Sequence, residues 1–285
     1  MDSARSKGNI LAVVSSLFQA SVLVFWTYLL GLFSRPVLMI YWFGTAALIL
    51  TGYLLFTKNL KFNFNKKLFP TLLAFGFLSA LTTFLLMTGA KMIGASITSF
   101  IMQTTVIFAL MYSIFGLKEK FTKKEFIGII FIALGLFILN WKTNLTIALS
   151  SLIVVFAALS QSTNHFLAKK LLPKVPKLQL NLIRVLCIFF FGLIYLFIVG
   201  ETLRPISFNA LSIIILGVLL GPIFIYVFYY SALQKTNLAI ASALKSINPI
   251  FTFIIAFIFL GELLTLQQTT AFISLAFGAY LIIKK

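Results

Sequence analysis

Apolar stretches of roughly 16 to 25 residues recur along the chain, parted by short polar segments. Within a stretch the apolar residues neither alternate nor keep to one helical face, the pattern of helices that are apolar all round and suited to hydrocarbon. About 20 helical residues cross a hydrocarbon core of about 30 Å. The uninterrupted runs predict ten spans, at 9–33, 37–56, 68–90, 93–116, 126–141, 145–168, 178–200, 210–233, 238–261 and 268–283. The first is too long for the apolar core of a secretory signal, so it reads as a retained anchor despite Arg5 and Lys7 ahead of it. The expected fold is an all-α polytopic membrane protein.

Composition narrows the class. With 61% hydrophobic residues, 10% charged residues and mean hydropathy +1.10, the chain is unlike any soluble domain of 285 residues. A net charge of +18 in a soluble protein suggests nucleic acid, but here its distribution explains it without a nucleic-acid partner. With the N-terminus in the cytoplasm, the inner segments hold Arg5 and Lys7; Lys58, Lys61, Lys66 and Lys67; Lys118, Lys120, Lys123 and Lys124; Lys169, Lys170, Lys174 and Lys177; Lys235; and Lys284 and Lys285. The outer segments hold only Arg35, Lys91, Lys142 and Arg204. This asymmetry fits the positive-inside rule and puts both termini in the cytoplasm. The lone cysteine, Cys187, excludes an internal disulfide.

The chain also matches itself at an offset of 143, the distance from Glu119 to Glu262. "IFALMYSIFGLKEKFT" (107–122) lies over "IFTFIIAFIFLGELLT" (250–265), and the register pairs Ser99 with Ser242 and Gly135 with Gly278. The expected halves are 9–141 and 145–283, five spans each. Since five is odd, the second half enters the membrane in the opposite sense, an inverted repeat of the kind in which secondary transporters bind substrate near the midplane. "TKKE" (122–125) and "TLQQ" (265–268) fit a capping box at the same register, so Thr122 with Glu125, and Thr265 with Gln268, restart each half into a short last span.

The stretch "NLAIASALKSINPIFTFIIAFIFLGELLTLQQ" (237–268) resembles the second half-repeat of EamA-type carriers of the drug/metabolite transporter superfamily, and "GASITSFIMQTTVIFALMYSIFGLKEKFT" (94–122) resembles a weaker first copy. The resemblance covers essentially the whole chain. It implies a central cavity lined mainly by spans 1, 3, 4, 6, 8 and 9, with alternating access between the halves. Two departures stand out: Thr105 and Val106 occupy the positions of Asn248 and Pro249, and Lys118 that of Gly261.

Lys245, in "ALKSINPIFT", is the sharpest candidate substrate contact. It lies about 10 Å into span 9 at about 1.5 Å per residue. A lysine charge there costs about 2.5–3.5 kcal/mol unless it meets a cavity or partner. All five acids, Asp2, Glu119, Glu125, Glu201 and Glu262, fall at span ends or in loops. Pro249 lacks an N–H, which frees the carbonyl of Lys245. The residue reads either as an anion receptor or as a snorkelling side chain bonded to carbonyls. Arg184, six residues into span 7, is an interfacial anchor or a second cationic contact. His165, the single histidine, is an interfacial residue or a proton relay at the cytoplasmic mouth.

Gln103, in mid-span 4 beside Met102, the repeat partner of Lys245, must find partners when buried. Gln19 in span 1 is similar, and Asn248 adjoins Pro249. Tyr226 and Tyr230 can stack a planar substrate or grip a cationic one. Trp26 and Trp42 read first as an aromatic belt and alternatively as partners of the tyrosines in stacking substrate. Pro222 frees the carbonyl of Val218 and bends span 8. Glu119 and Glu262, beside turns, read as structural.

These readings converge on a secondary carrier that moves a small organic metabolite, first of all an amino acid or other carboxylate-bearing compound, with export favoured by the resemblance. The alternatives are a multidrug or cation exporter, or an organophosphate or lipid-related translocator. A membrane-embedded enzyme is disfavoured, because one cysteine, one histidine and no mid-span carboxylate supply neither a metal site nor an acid pair. No metal and no cofactor is expected; the partners are a small-molecule substrate and the bilayer, with the chain a monomer or weak dimer. Short loops suggest a multi-pass protein of a bacterial plasma membrane.

Overall fold

The computed structural model describes residues 2–59, 66–120, 122–139, 145–203, 205–260 and 265–283. Glu262, Gly261, Lys142 and Arg204, and the side chains of Glu125 and Gln268, lie outside the described residues. In hydrocarbon each backbone amide must be satisfied within the protein, so every apolar run coils into helix. The α-helices are α1 (Asp2–Leu29), α2 (Arg35–Phe56), α3 (Phe69–Ile101), α4 (Thr105–Met111), α5 (Lys123–Leu139), α6 (Leu145–Leu171), α7 (Lys177–Val199), α8 (Phe208–Val218), α9 (Tyr226–Leu233), α10 (Leu238–Lys245), α11 (Asn248–Leu260) and α12 (Leu266–Ile283).

Among the described residues, seven helical segments are long and apolar enough to cross a membrane, and α5 and α12 contain two shorter apolar helices. One of the seven, Lys66–Gly116, runs to 51 residues. It is not straight. Gly94 has φ 77° and ψ 170°, a conformation open to glycine but not to a residue with a Cβ. A Cβ on Gly89 would stand 3.4 Å from Thr98 Cγ2. On a straight helix those two residues are about 13.5 Å apart along the axis, so the chain folds back on itself at Gly94. The reversal falls just beyond the expected polar break at Lys91 and Met92, both exposed.

The last span of each half begins where the sequence suggests. Thr122 directly precedes α5 and its carbonyl accepts from Phe126 N at 3.1 Å; Thr265 directly precedes α12 and accepts from Thr269 N at 3.0 Å. Helix α3 packs on α6, α2 on α7, α5 on α12, and α1 lies against α9, α10 and α11. Ser274 Oγ donates to the carbonyl of Phe131 at 2.7 Å, and these two residues are separated by 143, the repeat offset. A residue in contact with its own counterpart lies on the axis relating two copies.

Spans 4 and 9 both break, and at the same register. In span 9, α10 stops at Lys245 and α11 starts at Asn248. Pro249 therefore sits in the first turn of a new helix, where its missing N–H costs nothing. In span 4 the counterpart residues Met102–Thr104 form a tight 3-10 turn between α3 and α4. Span 8 loosens instead: Leu219–Ile225 form wide π-helical turns around Pro222, between α8 and α9.

Candidate substrate site

These irregular segments surround two adjoining cavities. The first, about 630 Å³ with the open space at its mouth included, lies among α1, α2, α3, α6, α7 and the loosened stretch of span 8. Its polar lining includes Gln19, Thr82, Thr83, Gln161, Asn164 and Arg184. The second, about 300 Å³ with its open side likewise included, is lined by Gln103, His165, Ser242, Lys245 and Asn248, and it shares Gln19 and Gln161 with the first. Helix breaks put these side chains there: Gln103 rides on the 3-10 turn of span 4, and Lys245 and Asn248 flank the gap in span 9.

Arg184 is 3% exposed, so it does not snorkel to an interface. Its guanidinium lies over the Tyr226 ring, 3.5 Å from the centroid, and Nε donates to Asn181 Oδ1 at 3.1 Å. Asn181 is itself anchored by donating to the carbonyl of Pro222 at 2.6 Å. Arg184 Nη2 is buried without a hydrogen-bond partner among the described residues. Lys245 is 7% exposed, with Nζ 4.3 Å from the centre of the Tyr229 ring. No hydrogen bond or ion pair reaches that Nζ among the described residues. Each basic group is thus held on an aromatic face with donors left over.

His165, expected at the mouth, is instead 1% exposed and deep between α6 and α9. Its Nδ1 bonds to Tyr229 OH at 3.0 Å, Tyr229 OH lies 3.3 Å from Ser242 Oγ, and Gln161 Nε2 lies 3.5 Å from His165 Nε2. Gln161, His165, Tyr229 and Ser242 thereby form one polar chain along the wall beneath Lys245. Gln103 Nε2 donates to the carbonyl of Ser99 at 2.7 Å, closing the weakened turn of its own span. Asn248 donates to the carbonyl of Ser16 at 3.1 Å and accepts from Thr252, tying α11 to α1. Tyr226 lines the first cavity, whereas Tyr230 is buried behind it, rings 5.3 Å apart, and lines neither cavity.

Trp26 and Trp42 do not form a belt. They pack edge to face at 5.8 Å inside the protein, line the first cavity, and leave both indole N–H groups unpaired. They are buried because glycines in span 8 let the chain close over them: a Cβ on Gly217 would meet Trp42 Cη2 at 2.2 Å. Gln19 Oε1 and Gln161 Oε1 are likewise buried without partners. Residues missed in the sequence are Ser79, Thr82 and Thr83. Their spacing of three and four puts them on one face of α3, a stripe that could have been read as cavity lining.

Glu119 is structural, and more connected than its place beside a turn suggested. Its carboxylate accepts from Lys169 Nζ at 2.5 Å, Ser113 Oγ at 2.6 Å and the Leu238 amide at 3.1 Å, where it caps the N-terminus of α10. Lys169 also donates to the carbonyl of Thr236 at 2.7 Å, and Thr236 Oγ1 to Asn9 Oδ1 at 3.0 Å. This polar knot joins α1, α6, α10 and the turn before α5, about 10 Å along α10 from Lys245. Beyond it, Ser34 donates to Glu201, linking the loops after α1 and α7.

The EamA-like transporter family matches the chain twice, over residues 6–141 and 148–284. No curated protein matches it. Among the solved structures similar to this chain is a crystal structure with a TM-score of 0.77 and 12% identity, covering 96% of this chain and 94% of its own. At that identity the likeness shows the fold alone.

Proposed function

The chain belongs to the EamA-like transporter family and is thus a membrane transporter of the drug/metabolite transporter superfamily; from that premise we propose that it carries a small organic anion, an amino acid or other carboxylate-bearing compound. One observation supports the substrate class. Arg184 and Lys245 are both buried, both line cavities, and neither has a carboxylate partner among the described residues. Burying an unpaired cation is costly, and a bound anion is the partner that removes the cost.

The same proposal includes alternating access between two inverted five-span halves, ten spans with both termini in the cytoplasm, and export across a bacterial plasma membrane as a monomer or weak dimer. Pro222 and the break before Pro249 supply the flexible joints. Gln103, Gln19, Asn248 and Tyr226 orient the ligand, and Tyr230 backs Tyr226.

The test is thermal unfolding of the purified chain and its Lys245→Met variant, with and without carboxylates. A ligand that binds the folded state raises the apparent Tm by mass action. The variant is expected to unfold no lower than the wild type without ligand, because an unpaired buried charge is removed, yet to lose the ligand-induced rise. A variant that unfolds lower and keeps the full rise would make Lys245 structural.

A further inference from the structure

The two cavities have Gln19 and Gln161 in common, and each is lined by one basic side chain. Arg184 is fixed on Tyr226 and Lys245 on Tyr229. Those tyrosines are three residues apart on α9, so their Cα atoms differ by about 4.5 Å along the helix axis and point to neighbouring faces. The two cations thus rest on separate rings of one helix and line separate cavities. Gln19 and Gln161 line both cavities, and their Oε1 atoms are buried acceptors without donors among the described residues. A buried acceptor left unpaired is costly, and a donor on the middle of a ligand removes that cost.

We propose that the site is bipartite and takes a short dicarboxylate bearing a hydroxyl or ammonium group between its two acid ends. One carboxylate meets Arg184 Nη2, which Asn181 leaves unengaged, and the other meets Lys245 Nζ. The central group donates to Gln19 Oε1. A monocarboxylate leaves one of the two cations unpaired, and a compact phosphate dianion meets one and leaves the other. Positive charge alone would accept any anion; the separation of the two cations and the acceptors common to both cavities select the length and the middle of the ligand. This rests on the anion reading above and narrows it.

The experiment is calorimetric titration of the purified full chain with propionate, succinate, malate, aspartate and inorganic phosphate, each also applied to Arg184→Gln, Lys245→Gln and Gln19→Leu. Malate or aspartate is expected to bind at least about tenfold more tightly than propionate, the equivalent of about 1.4 kcal/mol. Arg184→Gln and Lys245→Gln should each bring that affinity down to the propionate level. Gln19→Leu should abolish the preference for malate or aspartate over succinate. Propionate binding as tightly as the dicarboxylates, or phosphate binding alone, overturns the bipartite site and leaves the anion reading standing. A chain stabilised by neutral or cationic metabolites and by none of these anions overturns both. The wild-type selectivity series needs no variant to fold, so the proposal is decided even if a substitution prevents folding.

Discussion

Gly217 carries no side chain at the point where α8 passes Trp42, and the indole occupies the space a methyl group would need. Gly217→Ala is therefore expected to cost about 1–3 kcal/mol by overpacking, seen as a lower Tm. Adding Trp42→Phe should recover part of that loss, because the two sites share one space and their effects do not add. Independent, additive losses would show that the glycine matters for another reason. The same pair shows what a single residue discloses in sequence. Lys245 is conspicuous because a charge in an apolar run has few explanations. Trp26, Trp42 and the spare donor of Arg184 are not, because in helices apolar on every side no periodicity says which face turns inward. A tryptophan pointing to lipid and one pointing to a cavity look alike until the packing glycine opposite is known.

At the scale of the element, lipid makes the helices legible and hides their interruptions. Every apolar run became helix because nothing else satisfies its amides. The break of span 9 could be anticipated from Pro249, but the matching 3-10 turn in span 4 has no proline to announce it. The fold-back at Gly94 is announced by Lys91, which interrupts the apolar run just before it, although the helical segment runs on past both. The start of α10 has a different dependence: its first amides are satisfied by Glu119 and Ser113, residues of the other copy. Glu119→Gln removes the ion pair to Lys169 and the negative charge from the helix start, so this end of the bundle should loosen. With Cys187→Ala and Ser242→Cys as the reporter background, Glu119→Gln should raise the rate of modification by a membrane-impermeant thiol reagent applied on the Lys169 side several-fold. An unchanged rate means that the knot is not a barrier on the path to Ser242.

Across the whole molecule, the contacts come in sets related by the repeat: α2 meets α7, α5 meets α12, and the breaks in spans 4 and 9 face one another through Gln103 and Lys245. The offset of 143 was visible in the sequence, but which helices it places side by side was not, since packing partners follow from shape and not from spacing. On the alternating-access proposal, a tether inside a self-related pair should be harmless and one across the knot should not. In a Cys187→Ala background, linking Phe131→Cys to Ser274→Cys with a short bifunctional thiol reagent is expected to leave transport in vesicles intact. Linking Ser113→Cys to Ala239→Cys should stop it. Arrest by the first tether would move the hinge to α5 and α12.

The hydrogen bond from Ser274 to Phe131 then has a meaning beyond packing. On the alternating-access proposal, a bond between a position and its own double keeps the same neighbours whichever way the carrier faces, so it is indifferent to direction and serves as a pivot. Any preference for one facing must be written where the two copies differ, at Gln103 against Ser246 and at Thr105 and Val106 against Asn248 and Pro249. The resting orientation of the carrier is a property of its broken symmetry.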